Sequence, residues 1–320
     1  MKILYAAGNN SSAKIQLSRF MNAVQDKTYK IKIAAYKKSS PENLSIDWTL
    51  DCLLNMFKPE LISTDNENFE IYYEQIKNYE PDLIISDLEY FTSYIANVLN
   101  TKIWQCSSLM INQALTRKAK YDLGVFKNHA YTFNRNPGQI QRTNNIVSNA
   151  DRKFVYAHYG DMDNPPEILD YCEWIRPYHQ VGKISIPCQH NLIGITPGSN
   201  KPIINILKNE KDCVLFTESY NENYGELQVK NIRNEEEYFC NLQNSNALVC
   251  EGQTSFLSDA FYNNKPAVIY ADYDDPECIL NSIISEKYKL STSSIENIVQ
   301  VNKPQLNNIL YLHEQIERIL

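Results

Sequence analysis

The chain's 320 residues suffice for two domains of ordinary size, and a hydrophobic content of 43% supports packed cores. No apolar run reaches the roughly 18 residues of a membrane span, and the eight cysteines show neither a CxxC nor paired spacing, which argues against a zinc site and a disulfide framework. The formal charge of −7 is uneven: residues 1–150 carry 17 Lys and Arg against 14 Asp and Glu, and the rest carry 14 against 24. Reduced thiols in apolar runs point to the cytoplasm.

In chain order, residues 2–7 read as a buried strand, too short and too soon interrupted for a signal peptide. A loop holding Asn9, Asn10 and Ser11 follows, then a helix to about residue 24. This is the opening of a Rossmann-like half. It lacks GxGxxG, so no dinucleotide is inferred. Residues 29–36 alternate as a strand; 46–57 and 69–79 read as helices. Residues 81–87 form another buried strand with Asp87 at its carboxyl end, a candidate base or a cap for the helix at 91–99. A strand at 102–106 completes the alternation that predicts a parallel sheet. Over 107–150 the pattern weakens. Arg117, Lys118, Lys120, Lys127, Arg135 and Arg142 alternate there with Tyr121, Phe126, Tyr131 and Phe133. Such a mixture can clamp phosphates and stack on bases; a solvated loop with anchoring aromatics is the simpler reading.

Residues 153–158 read as a strand, 164–166 break the chain, and 175–184 read as a crossover, placing a domain boundary at 184/185. The second half restarts with a strand at 192–196 that ends in Pro197, Gly198 and Ser199, and a helix follows to residue 207. Strands at 213–217 and 227–232 and a helix at 235–244 lead to the stretch that organises the chain. There, residues 247–250 are a strand and Gly252 permits a sharp turn. Thr254 or Ser255 caps the next helix, whose free amides make an anion site. Residues 263–266 stop that helix, 267–270 form a strand, and a carboxylate-rich loop runs from Asp272 to Glu277. Residues 305–320 read as a final helix.

In this stretch Gly252, Ser255, Ser258, Asp259, Ala260, Pro266, Glu277 and Asn281 match a known pattern. It resembles the donor-binding motif of GT-B glycosyltransferases, especially the branch of the lipid II N-acetylglucosaminyltransferase. The resemblance is specific over about the last hundred residues and architectural over the rest. It implies an α/β protein of two Rossmann-like parallel-sheet domains facing across a cleft: residues 1–184 on the acceptor side, and 185–320 binding a nucleotide sugar and ending in a helix that packs back.

The resemblance also implies roles. The amides after Gly252, at Thr254, Ser255 and Phe256, would hold the diphosphate. Asp259, four residues after Ser255 and on the same helix face, would accept from the ribose diol. Glu277 and Asn281, again four apart, would hold sugar hydroxyls. The backbone near Ile232 would read the base, and Gly198 and Ser199 would border the phosphates. The loop of Asn9, Asn10 and Ser11 would face the acceptor and the donor's sugar, where some such enzymes carry a His base. Arg117 and Lys118 would lie on the acceptor side. No cofactor beyond the nucleotide-sugar co-substrate is implied, and metal independence is expected.

Two residues depart from the motif. Gln253 stands for its second glycine and Glu251 precedes Gly252, so donor geometry or turnover could be altered. The expectation is a glycosyltransferase using a nucleoside-diphosphate sugar, first a UDP sugar, with Asp87 as base. The acceptor is left open among glycans or lipid precursors, small molecules and a nucleic-acid base. The alternatives are a GT-B-like binding protein without turnover and a sugar-nucleotide epimerase or hydrolase. Oligomeric state is not legible.

Overall fold

The computed structural model describes residues 1–8, 11–36, 44–50, 67–124, 149–156, 165–179, 190–197, 201–218, 224, 227–232, 234–271, 275–288, 291–292 and 309–319. Two all-parallel sheets account for the described strands. The first contains β1 (Lys2–Ala6), β2 (Lys30–Tyr36), β3 (Trp48–Leu50), β4 (Leu83–Ser86), β5 (Ile103–Ser107), β6 (Arg152–Tyr156) and β7 (Glu173–Ile175), in the order 3-2-1-4-5-6-7. The second contains β8 (Leu192–Thr196), β9 (Cys213–Thr217), β10 (Gln228–Asn231), β11 (Ala247–Cys250), β12 (Ala267–Ile269) and β13 (Ser291–Thr292), in the order 10-9-8-11-12-13. Each order reverses beside its first strand, at β1/β4 and at β8/β11. Such a switch point opens a crevice at the carboxyl ends. The change of sheet falls between β7 and β8; the boundary expected at 184/185 lies outside the described residues.

Strand alternation builds the cores. From β1, Ile3 and Tyr5 point to one face and Leu4 and Ala6 to the other. The first face packs on Leu17 and Phe20 of α1 (Ser11–Val24) and on Leu312 and Ile316 of α10 (Leu312–Glu317). The second packs on Tyr72 and Ile76 of α2 (Glu67–Tyr79) and on Ile95 and Ala96 of α3 (Tyr90–Leu99). The chain's last described helix thus sits on the first sheet, and Gln315 Oε1 accepts from Arg152 Nη2 at 3.1 Å.

The second sheet repeats the scheme. Ile193 and Ile195 face α7 (Glu235–Asn244) and α8 (Thr254–Tyr262), while Leu192 faces α6 (Lys201–Asn209). At Gly194 the Leu207 side chain of α6 fills the space a Cβ would take, so a larger residue there would make that leucine shift. Two short helices, α4 (Met110–Ala114) and α5 (Arg117–Asp122), join Leu280 and Ile284 of α9 (Pro276–Lys287) in a cluster that spans both halves.

One expected element is corrected. Of residues 46–57, expected as a helix, those from 51 on lie outside the described residues, and Trp48, Thr49 and Leu50 form the parallel edge strand β3 against Ala34, Ala35 and Tyr36. Aromatic and β-branched residues suit a half-covered strand. Pairing with an available sheet edge outweighs the apolar spacing that suggested a helix. Two strands were missed: β7, which ends at the first residue of the expected crossover, and the two-residue β13. No described helix is long and apolar enough to cross a membrane. The six described cysteines are buried and free, and no group of metal-binding side chains occurs among the described residues.

Candidate functional site at the carboxyl edges of the two sheets

Parallel strands deliver their carboxyl ends to one edge. In the first sheet this edge carries Gly8 after β1, Asp87 after β4, and Ser107 and Ser108 at the end of β5. In the second it carries Thr196 of β8 and Glu251 to Gln253 after β11. Side chains from the two edges touch, with Glu277 at the centre.

Asp87 is 3% exposed, and its amide donates to Ala6 O at 2.9 Å. It does not cap the next helix. Glu89 does so, accepting from the amides of Phe91 (3.1 Å) and Thr92 (2.7 Å) and from the Tyr36 hydroxyl (2.8 Å). Between the two carboxylates Leu88 has φ 52°, a left-handed conformation that costs a non-glycine residue energy. The strained turn sends Asp87 to the cleft and leaves the capping to Glu89. Burial pushes the Asp87 carboxyl up to about 7, and the Glu277 charge adds to this. The Ser107 hydroxyl and the Gly8 amide offset part of it. Among the described residues Asp87 Oδ1 has no hydrogen-bond partner. Beneath Asp87, burial holds Cys106 neutral, with its pKa pushed up to about 12, and keeps Tyr5 and Tyr156 neutral.

Glu277, 1% exposed, comes from the first turn of α9, which Asp275 caps by accepting from the Glu277 amide at 2.8 Å. Its Oε1 accepts from Ser12 Oγ at 2.9 Å and from the Thr254 amide at 2.8 Å; its Oε2 accepts from Ser108 Oγ at 2.9 Å. One carboxylate thereby joins both sheet edges to the N-terminus of α8. Asn281, one turn on, donates to Gly252 O at 2.7 Å and to Thr254 Oγ1 at 3.1 Å. The i, i+4 pair read from the sequence does share a face, and that face holds the start of α8.

This alters the expected cap. Gln253 is the N-cap of α8 and makes no side-chain cap bond, so Thr254 and Ser255 lie inside the helix. Glu277 supplies from a distance the acceptor that a short polar cap would have given. Gly252 has φ 105°, and an added Cβ would lie 3.0 Å from Cys278 O. Both the conformation and the close approach of α9 require glycine there. Glu251 accepts from the Thr196 hydroxyl and from Gln253 Nε2 at 2.7 Å. The two departures from the motif are therefore bonded to each other.

Burial pushes the Glu277 carboxyl up to about 7; Asp275 adds to this, and the Thr254 and Ser108 donors offset part of it. Relative to an ordinary value of 4.5, the folded state keeps a proton that the unfolded state has lost between about pH 4.5 and 7. Stability is full below that window and falls as pH rises through it. Glu277→Gln should flatten the curve: in urea titrations at pH 5 and 8, wild type loses more stability across the interval than the variant does. An equal loss in both would show that Glu277 does not titrate there.

Further along α8, Ser255 and Asp259 are each 0% exposed, and both meet α1. Gln16 Nε2 donates to Ser255 Oγ at 3.1 Å and to Tyr178 O at 3.0 Å. Arg19 forks onto Asp259, Nη1 to Oδ1 and Nη2 to Oδ2, both at 2.9 Å. Burial alone would lower the Arg19 pKa, but Asp259 and Glu235 together outweigh it and raise it.

Of the other expected site residues, Phe256 and Ile232 pack in the second core, and Ile232 N donates to Thr217 O at 3.2 Å. Arg117 and Lys118 are exposed on the first turn of α5, which Thr116 caps. Asn9, Asn10, Gly198 and Ser199 lie outside the described residues, as does the Ser11 side chain. The structure brings Asp87, Gly252, Thr254, Ser255, Asp259, Glu277 and Asn281 to one interface. It adds Ser12, Gln16, Arg19, Ser107 and Ser108, which sequence reasoning did not assign. The available signal was weak: polar Gln16 and Arg19 at i, i+3, flanked by Leu17 and Phe20.

No family model matches the chain, and no curated protein sequence does. Solved structures share its fold. Spinosyn forosaminyltransferase SpnP superposes with a TM-score of 0.59 at 15% identity, over 93% of this chain and 87% of that one. The Streptomyces sp. SF2575 glycosyltransferase SsfS6, complexed with thymidine diphosphate, gives 0.56 at 14%, over 91% and 87%. Spinosyn rhamnosyltransferase SpnG, also complexed with thymidine diphosphate, gives 0.52 at 10%, over 91% and 86%. The fold is GT-B, two Rossmann-like domains facing across a cleft. This likeness does not single out the lipid II branch.

Proposed function

We propose that this chain is a glycosyltransferase that moves a sugar from a nucleoside-diphosphate donor to an acceptor nucleophile, with Asp87 as the base. The observation that carries this reading is Asp87 itself. It is a buried carboxylate at the carboxyl end of a strand beside the switch point, its pKa is pushed up to about 7, and its Oδ1 lacks a partner among the described residues. A base near neutrality is what proton removal from a hydroxyl needs. The acceptor oxygen would give its proton to Asp87 and attack the anomeric carbon. The bond to the diphosphate would break on the opposite side, inverting the configuration. Negative charge then gathers on the leaving diphosphate, where the first-turn amides of α8 after Thr254, which itself donates to Glu277, have no acceptor within their own helix.

A UDP or dTDP sugar is the donor to try first: the first fits the motif, and the second fits the nucleotide bound by SsfS6 and SpnG. The acceptor class stays open among glycans, lipids, small molecules and nucleic-acid bases. A second reading, a binding protein without turnover, is favoured by one observation: Asp259 and Glu277, both expected to hold the donor, already hold partners within the chain.

The test is nucleotide release from UDP, dTDP, GDP and CMP sugars with a panel of acceptors, run beside thermal melting with the free nucleotides. A ligand bound only by the native state raises the melting temperature, by about 2.7 kcal/mol of stability at a hundred times Kd. A shift together with release supports the transferase. A shift without release under any acceptor moves the binding protein to first place. No shift and no release removes both.

A further inference from the structure

Resting on the transferase reading, we infer that Gln253 determines specificity at this site: its carbonyl oxygen Oε1 accepts a hydrogen bond from a hydroxyl group of a substrate held between the two sheet edges. The switch points lie at β1/β4 and β8/β11. An orphaned acceptor follows a strand at each: Asp87 Oδ1 after β4 and Gln253 Oε1 after β11. Both atoms are covered, and neither has a partner among the described residues. A buried carbonyl without a donor is costly, and the glycine that the motif carries at this position would bring no such group. Nor does Gln253, at 3% exposure, offset that cost locally. Its side chain makes no cap bond to α8, and the amide of Thr254 already donates to Glu277.

The orientation of the amide is fixed. Gln253 Nε2 donates to Glu251 Oε2 at 2.7 Å, and Glu251 Oε1 accepts from the Thr196 hydroxyl. Carboxylate oxygens accept, so the amide nitrogen must face Glu251 and the carbonyl must face away from it. Thr196 at the end of β8 and Glu251 after β11 thereby set one carbonyl at the switch point of the second sheet. The diphosphate of a nucleotide sugar cannot satisfy that atom, because its oxygens are acceptors too. A hydroxyl can. With Asp87 as base on the facing edge, the hydroxyls that come between the edges belong to the transferred sugar or to the acceptor. Gln253 is then the contact residue and Glu251 the residue that positions it, which gives both departures from the motif a task. A site that bonds a substrate hydroxyl discriminates against the analogue that lacks it.

The experiment is calorimetric titration of the full chain with UDP-glucose and dTDP-glucose and with their 2-, 3-, 4- and 6-deoxy counterparts, with free UDP and dTDP as references. If the partner is a sugar hydroxyl, one deoxy form should bind about tenfold or more weakly in wild type, and Gln253→Met should bring that ratio within about twofold. Glu251→Gln lets the amide turn over without replacing Gln253, and should shrink the same ratio; a merely structural role would weaken every ligand alike. If the partner is an acceptor hydroxyl, the deoxy series binds evenly, and Gln253→Met instead raises the KM of the hydroxyl acceptor used in the release assay. Gln253→Gly, the residue of the motif, serves if Gln253→Met does not fold. A folded variant that changes neither the deoxy ratio nor the acceptor KM overturns the inference and leaves the transferase reading standing. Failure of wild type to bind any of these nucleotides or sugars overturns the transferase reading, and the inference with it.

Discussion

Asp87→Asn should lower turnover by about 10²- to 10⁴-fold, the usual contribution of a positioned general base, while leaving nucleotide affinity close to wild type. In the wild type, the rate should rise with pH through about 7 and then level off, because only the ionised carboxylate can take the acceptor's proton and its pKa is pushed up to about 7. The carboxylates of Asp87 and Glu277 act on each other, so the observed limb belongs to the pair. Glu277→Gln removes a negative charge that holds the Asp87 proton on, and should therefore move the limb to lower pH. Initial rates from pH 5 to 9 decide the matter. A limb near pH 4, or one unmoved in Glu277→Gln, would take the role of base away from Asp87. Amide substitution at Asp87 is a fair probe of chemistry because Glu89, not Asp87, caps α3.

The parallel sheets were legible in the sequence because their strands are buried on both faces and read as short apolar runs between turn residues. Residues 83–86 and 247–250 are examples, each buried throughout. Edges were less legible. Trp48 to Leu50 is a three-residue strand whose existence depends on the free side of β2, a fact no local pattern carries. Half the site was legible for the same reason as the sheets. Asp87 closes a buried strand, and Glu277 and Asn281 stand four apart at a helix start. The other half was not. Ser12, Ser108 and Arg19 are 169 or more residues in sequence from the carboxylate each one meets, Glu277 or Asp259, and they matter only because two domains meet. An arginine in the third turn of an amphipathic helix reads as a solvated residue until its partner comes from the other sheet. The cap of α8 failed for a related reason. Local rules look for a Ser or Thr at the first position, whereas here the acceptor is a glutamate on the following helix.

The largest stability effect should come from splitting the Arg19–Asp259 pair. Arg19→Met leaves Asp259, at 0% exposure, without its bidentate partner. Removing one member of a buried pair costs about 3–5 kcal/mol, because the remaining charge stays desolvated. Replacing both members is a different matter: Arg19→Met with Asp259→Leu removes the stranded charge as well, and most of the loss should be recovered. Urea unfolding of wild type, both single variants and the double variant closes the cycle, and the coupling should have the sign of a strong attraction. The exposed pair Lys77–Glu74, half open to solvent on α2, is the internal control; splitting it should leave the unfolding midpoint nearly unchanged. A cost below about 1 kcal/mol for Arg19→Met would mean that water reaches Asp259. The worth of the bridge is thus set by how completely α1 and α8 keep water from the carboxylate they enclose.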